Sequence, residues 1–195
     1  MKIIAPDLVL RLTDAYTGER PHLPLELALA PQAVRMVENT RGYHLLYYRR
    51  GKEPLNVTIS VTSPYYQPQR LSVSLPHEGL VAIELWPERI YPFPRGATLL
   101  CGQVVKQGQP LAGALVTVKT LFEKIQTRTN AHGLFLLFPR KVDGERLIRR
   151  NGRLFLPGPR GGRRITLKIE ISGEPPVKKH LRWPVGEKVE TLVEA

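Results

Sequence analysis

One order of short, alternating segments occurs twice in this chain of 195 residues, and that repetition limits the fold more than any other feature. Residues 8–93 can be laid over residues 99–195 with few gaps. LVLRLTDAYTGERPHLPLELAL matches LLCGQVVKQGQPLAGALVTVKT, bringing Gly18 near Gly108 and Pro21 near Pro110. VENTRGYHLLYY matches RTNAHGLFLLF, with Asn39 over Asn130 and Gly42 over Gly133. LNVTISVTSPYYQPQRLSVSLP then matches RITLKIEISGEPPVKKHLRWPV, each a strand, a proline-bearing bend and a second strand.

Within these segments the period is two. Apolar residues alternate with Thr, Ser, Lys and Glu over Val57–Val61 and Ile165–Ile171, as in a strand with one buried face. The run from Leu115 to Thr120 alternates less cleanly but is β-branched. No window of helical length carries a 3.6-residue stripe, and only PQAVRMVEN, after Pro31, is expected to make a helical turn or two. With 18 prolines and 16 glycines punctuating the strands, the expectation is an all-β chain of two tandem antiparallel β-sandwiches. They span residues 1–93 and 94–195, with a joint in YPFPRG stiffened by two prolines.

Composition excludes several classes. Apolar content of 42% and charged content of 24% suit a folded domain and not a disordered chain. The longest apolar run, Leu134–Phe138, is strand-sized, so no membrane span is expected. Asp7 and Arg11 interrupt the N-terminal apolar stretch before an export signal forms; the expected location is the cytoplasm or an intracellularly assembled particle. The single Cys101 excludes an internal disulfide and, on an apolar strand, reads as a buried thiol.

Residues 99–138 resemble the carboxypeptidase regulatory-like domain, a transthyretin-like (prealbumin-like) sandwich. The resemblance rests on Gly102, Gly108, Pro110, Leu111, Gly113, Ala114, Val116 and Val118, followed by Thr127, Thr129, Asn130, Gly133 and Phe135. The N-terminal half shares it only through the repeat, as a divergent second copy. What it implies is a fold and no activity. A related family of adhesin sandwiches closes with a Lys–Asn isopeptide bond, but the last strand, KVETLVEA, offers Lys106 neither Asn nor Asp. Some transthyretin-like proteins are hydrolases ending in Tyr-Arg-Gly-Ser, whereas this sequence ends in LVEA.

The search for other chemistry is equally bare. His22, His44, His77, His132 and His180 are scattered without ligand spacing, and no P-loop, dinucleotide fingerprint or nucleophile elbow occurs. Catalytic residues, metals and cofactors are therefore not expected.

Charge is the strongest functional sign. Residues 1–93 hold 10 basic and 9 acidic residues, whereas residues 94–195 hold 19 basic against 8 acidic. The connection between Phe138 and Ile165 carries Arg146, Arg149, Arg150, Arg153, Arg160, Arg163 and Arg164, opposed by Asp143 and Glu145. It is longer than ordinary connections, and RLFLP is expected to make it a β-ribbon. Arginine forks suit phosphates and carboxylates, so these residues are interaction candidates for a polyanion or a protein. Tyr65 and Tyr66, bracketed by Pro64 and Pro68, are candidates for a protein interface, while Tyr43 and Tyr47 are expected on a core-facing side of their strand.

The resulting expectation is a non-catalytic structural or adaptor protein. Its partners are other protein subunits, copies of itself included, in a phage-tail-like or other filamentous assembly. The alternative is a polyanion, nucleic acid or an acidic surface, bound through residues 140–168.

Overall fold

Proline and glycine cut the chain into segments too short for helices, and the alternation within each segment leaves one face to bury. The computed structural model, which describes residues 5–31, 34–48 and 54–195, accordingly contains strands and two single-turn 3-10 helices. The protein is all-β. Among the described residues no helix is long and apolar enough to cross a membrane.

Two compact units, residues 1–91 and 92–195, divide the chain after Tyr91, inside the proline-rich stretch expected to hold the joint. In the first, β1 (Leu8–Asp14), β3 (Val34–Glu38), β4 (Tyr43–Tyr48) and β7 (Leu80–Leu85) form a sheet in the order β3-β4-β1-β7. A second sheet runs β2-β5-β6, from β2 (Glu26–Ala30), β5 (Leu55–Thr62) and β6 (Gln69–Leu75). Their inner residues, among them Leu10, Leu46, Leu85, Val57, Ile59 and Leu75, are buried as the period of two requires.

The second unit repeats this with β8 (Leu99–Lys106), β10 (Leu115–Lys119), β11 (Lys124–Arg128), β12 (Leu134–Leu137), β15 (Ile165–Glu170), β16 (Val177–Leu181) and β17 (Lys188–Glu194). Its sheets run β12-β8-β17 and β11-β10-β15-β16, with the short β9 (Gln109–Pro110) beside β8. The pairs are antiparallel except for one parallel pair in each unit, β1 with β7 and β8 with β17.

The turns expected at Asn39 and Asn130 have the same construction. Asn39 Oδ1 accepts from the amides of Arg41 and Tyr43, both at 3.0 Å, and Asn130 Oδ1 accepts from those of His132 and Leu134 at 3.0 and 3.1 Å. In each, the glycine three residues on takes a positive φ, 78° at Gly42 and 69° at Gly133, and returns its amide to the asparagine carbonyl.

The helical turn expected in PQAVRMVEN does not form. Val34–Glu38 is strand β3, paired in register from Val34↔Tyr48 to Glu38↔His44; Gln32 and Ala33 lie outside the described residues. A neighbouring strand offering five ladder positions overrides a weak local preference. The tyrosine side of β4 is also reversed: Leu46 is its buried residue, so the core face carries His44, Leu46 and Tyr48, while Tyr43 and Tyr47 lie on the half-exposed face.

Candidate functional site

The long basic connection folds back on unit two as an ordered ribbon. β13 (Ile148–Arg150) and β14 (Arg153–Phe155) pair from Ile148↔Phe155 to Arg150↔Arg153. Asn151 and Gly152 join them with φ of 48° and 75°, the two positive values that a tight two-residue hairpin needs. Before the ribbon, a 3-10 turn (Gly144–Arg146) is capped by Asp143, whose side chain accepts from the Glu145 amide. After it comes a second such turn, Pro159–Gly161.

Backbone bonds hold the ribbon down. The Leu156 amide donates to the Trp183 carbonyl at 2.9 Å, the Val185 amide to that of Leu154 at 2.8 Å, and the Leu121 amide to that of Pro157 at 2.9 Å. Glu123 Oε1 accepts from the amides of Arg140 and Lys141, at 2.7 and 2.9 Å. Leu156 of the connection and Trp183, just after β16, are buried, so apolar burial anchors this polar connection.

Packing the ribbon against the end of β16 opens a cleft of about 350 Å³, lined by Ile148, Arg149, Arg150, Phe155, Arg163 and Arg182. Its four arginines are exposed and have no hydrogen-bond or ion-pair partner among the described residues. Like charges gathered without a counter-ion repel one another and gain from an incoming anion, which guanidinium forks grip through paired N–H groups.

Three of the seven arginines expected from sequence thus converge: Arg149, Arg150 and Arg163. Arg146 lies in the first 3-10 turn and Arg160 in the second, Arg153 meets Glu187 at 3.4 Å, and Arg164 directly precedes β15; all four are exposed. Arg182 was missed. It sits in HLRWP, well beyond the basic run, and the only local signal is that it follows a strand paired with the one Arg163 precedes.

The tyrosine bend is corrected. Tyr66, expected at an exposed interface, is 1% exposed and serves the core of unit one. Its Oη donates to Asp14 Oδ2 at 2.7 Å, as does Tyr91 Oη at 2.7 Å, while Asp14 Oδ1 accepts from the amides of Tyr16 and Thr17 at 2.7 and 3.2 Å. The Tyr66 and Tyr91 rings meet edge to face, 5.7 Å between centroids. Burial first, and then the hydrogen bond to Asp14, pushes both phenols well above the ordinary tyrosine range. A buried carboxylate with four donors explains why a tyrosine between prolines turns inward. Tyr65 is half-buried, and its amide donates to Ser63 Oγ at 3.1 Å.

A second cleft, of about 330 Å³, in unit one is lined by Arg20, His22, Glu38 and His44 among others. Arg20 pairs with Glu38, and burial lowers the His44 pKa. Among the described residues no group of three or more His, Cys, Asp or Glu is placed to hold a metal ion. Cys101 is buried on β8.

No protein-family model matches this chain. No curated protein matches it either. Among solved structures it is similar to the Bacillus anthracis TIE protein, with 10% identity and a TM-score of 0.33, over 96% of this chain and 33% of that one. It therefore spans about a third of that protein's length. It is also similar to a structure described as alpha-glucan recognition by family 41 carbohydrate-binding modules from streptococcal virulence factors, with 15% identity and a TM-score of 0.25, over 96% of this chain and 92% of that one.

Proposed function

We propose that this chain is a non-catalytic binding or adaptor protein that docks an anionic partner in the arginine-lined cleft of its second unit. One observation carries the reading: Arg149, Arg150, Arg163 and Arg182 come from three separate segments to one cleft and lack counter-ions there. The lining supplies charge and two apolar side chains, with no carboxylate, histidine, serine or cysteine to act as base or nucleophile. A surface of this make-up recognises; it does not transform.

In this reading the cleft takes the anionic partner, while subunits of a larger structural assembly are met at strand edges. β2, β3, β6 and β7 end the sheets of unit one and leave backbone groups open to strand addition. The resemblance of residues 99–138 to the carboxypeptidase regulatory-like domain belongs to the same proposal. It is supported by Gly102, where any Cβ would stand 2.5 Å from the Phe135 ring, and by the Asn130–Gly133 turn.

The test is binding of polyglutamate to the full chain and to a quadruple variant, Arg149→Glu, Arg150→Glu, Arg163→Glu and Arg182→Glu. Losing several charge-assisted contacts weakens binding by at least about 100-fold. Equal affinity of the two proteins would sink the cleft as a docking site.

A further inference from the structure

Unit two holds a second concentration of positive charge that never appears as a run in the sequence. The β10–β11 register sets Lys119 opposite Lys124, and the β15–β16 register sets Lys168 opposite Lys178. Cross-strand partners project from the same face, and the alternate residues Val116, Val118, Ile125, Leu167 and Ile169 are buried. All four lysines therefore stand on the outer face of the β11-β10-β15-β16 sheet.

Like charges directly opposite one another destabilise a sheet, and here two such pairs share one face. Glu170, on the same face, meets Lys168 at 2.7 Å; that ammonium first, and Lys124 from further away, hold its carboxyl below the usual range. Lys119 and Lys178 have no partner among the described residues. Between the lysines lie hydrogen-bonding groups: Gln126 Nε2 donates to Thr117 Oγ1 at 2.9 Å, and Thr166 Oγ1 stands 3.0 Å from His180 Nδ1. No tyrosine, phenylalanine or tryptophan occurs on these four strands. Arg164 and Arg182 flank the terminal Ile165↔Leu181 pair, so the face runs directly into the arginine cleft.

We propose that the sheet face and the cleft form one continuous surface for the phosphodiester backbone of a nucleic-acid duplex. The proposal rests on the cleft reading and extends it to Lys119, Lys124, Lys168 and Lys178. Four strands about 4.8 Å apart span roughly 14 Å from the first to the last. A duplex laid across that width carries about eight negative charges, one per about 1.7 Å of axis. The absence of rings from the sheet face removes the stacking platform a single strand needs. The lysines of a flat sheet face reach phosphates and no base edges, so contact there is with the backbone and independent of base sequence.

The experiment is fluorescence anisotropy with two unrelated duplexes of about 30 bp, a single strand of equal length, heparin, and phosphatidylserine-containing vesicles, over a salt series. Three proteins are compared: the full chain, the quadruple cleft variant, and a sheet variant carrying Lys119→Gln, Lys124→Gln and Lys178→Gln. We expect the duplexes to bind alike and to lose at least about 1000-fold in affinity between about 50 and 200 mM salt. In the sheet variant the slope of log affinity against log salt falls by about 2.7. Its melting temperature is unchanged or raised, because opposed lysines are gone, and this separates lost binding from lost folding.

A sheet variant with the wild-type slope, beside a cleft variant that has lost binding, overturns the extended surface and leaves the cleft standing. If neither variant changes binding, both readings fail. Tighter binding of the single strand, heparin or vesicles than of the duplex also overturns the proposal, in favour of that other polyanion.

Discussion

The two units share one strand plan and place its third strand on opposite sheets. β3 extends the sheet of β4, β1 and β7, whereas its counterpart β11 extends the sheet of β10, β15 and β16. The linking residues explain the difference. β10 leads into β11 through a tight hairpin in which Thr120 accepts, at its Oγ1, from the amides of Phe122 and Glu123 at 3.2 and 3.1 Å, while its own amide bonds the Glu123 carbonyl at 2.9 Å. β2 is followed at once by Pro31, which has no amide to donate, and β3 pairs onward with β4 instead. A few turn residues thus decide the sheet that a whole strand joins, and with it the chemistry of an outer face. In unit one the outer row Val37, Leu45, Val9 and Leu80 is apolar, whereas β11 brings Lys124 and Arg128 to a cationic face in unit two.

The comparison can be broken most forcefully at the two cores. Asp14→Ala removes an acceptor shared by two phenols and two amides; at roughly 1–3 kcal/mol for each buried hydrogen bond lost to a phenol, unit one loses at least about 2 kcal/mol. Hydrogen exchange should report faster opening of β1, β4 and β7 while β8 and β17 keep their protection; loss across both units would show that they do not respond separately.

The same network has a pH signature. Tyr66 and Tyr91 have folded pKa values raised above the free value of 10.0, so their stabilisation is complete below that pH and is lost as pH rises beyond it. Unit one should therefore weaken in strong base, and Tyr66→Phe should make the decline shallower. An unchanged pH profile would count against the buried phenols.

Gly102→Ala strikes unit two in the same way. The added Cβ would lie 2.3 Å from the Thr191 carbonyl oxygen and 2.5 Å from the Phe135 ring, and overpacking of this kind costs about 1–3 kcal/mol. Calorimetry should show the lower-melting transition in unit two alone.

Asn39→Ala and Asn130→Ala sharpen the likeness of the units. Each removes the acceptor for two amides and should cost about 1–2 kcal/mol, equal within about 0.5 kcal/mol by urea unfolding. The smallest effect on stability is expected from the quadruple cleft variant, within about 0.5 kcal/mol, since its residues are exposed and without partners. A large loss there would make the arginines structural.

The strands read most easily were those with one clean buried face. β5 and β15 alternate as their burial does, whereas the few residues of β3 after a proline carry too little period to distinguish a strand from a helical turn. The ribbon was legible from RLFLP and its flanking glycines, and three cleft arginines from their density. Arg182 and the lysine pairs were not. Each is one residue in an ordinary strand, and the charge opposite it belongs to another strand. Tyr66 misled because prolines on both sides mark a bend but carry no information about which way its side chain points; the Asp14 that draws it inward is 52 residues away.

The sequence by itself determined the all-β class, the repeated strand order and the Asn–Gly turns, because periodicity and turn chemistry act over a few neighbouring residues. Tertiary structure alone decided the sheet joined by β3 or β11, the burial of Tyr66 on Asp14, the pairing of lysines on one sheet face and the meeting of Arg182 with the other cleft arginines. Those outcomes depend on register between strands remote in the chain, where shifting a strand by one residue would turn every side chain to the other face.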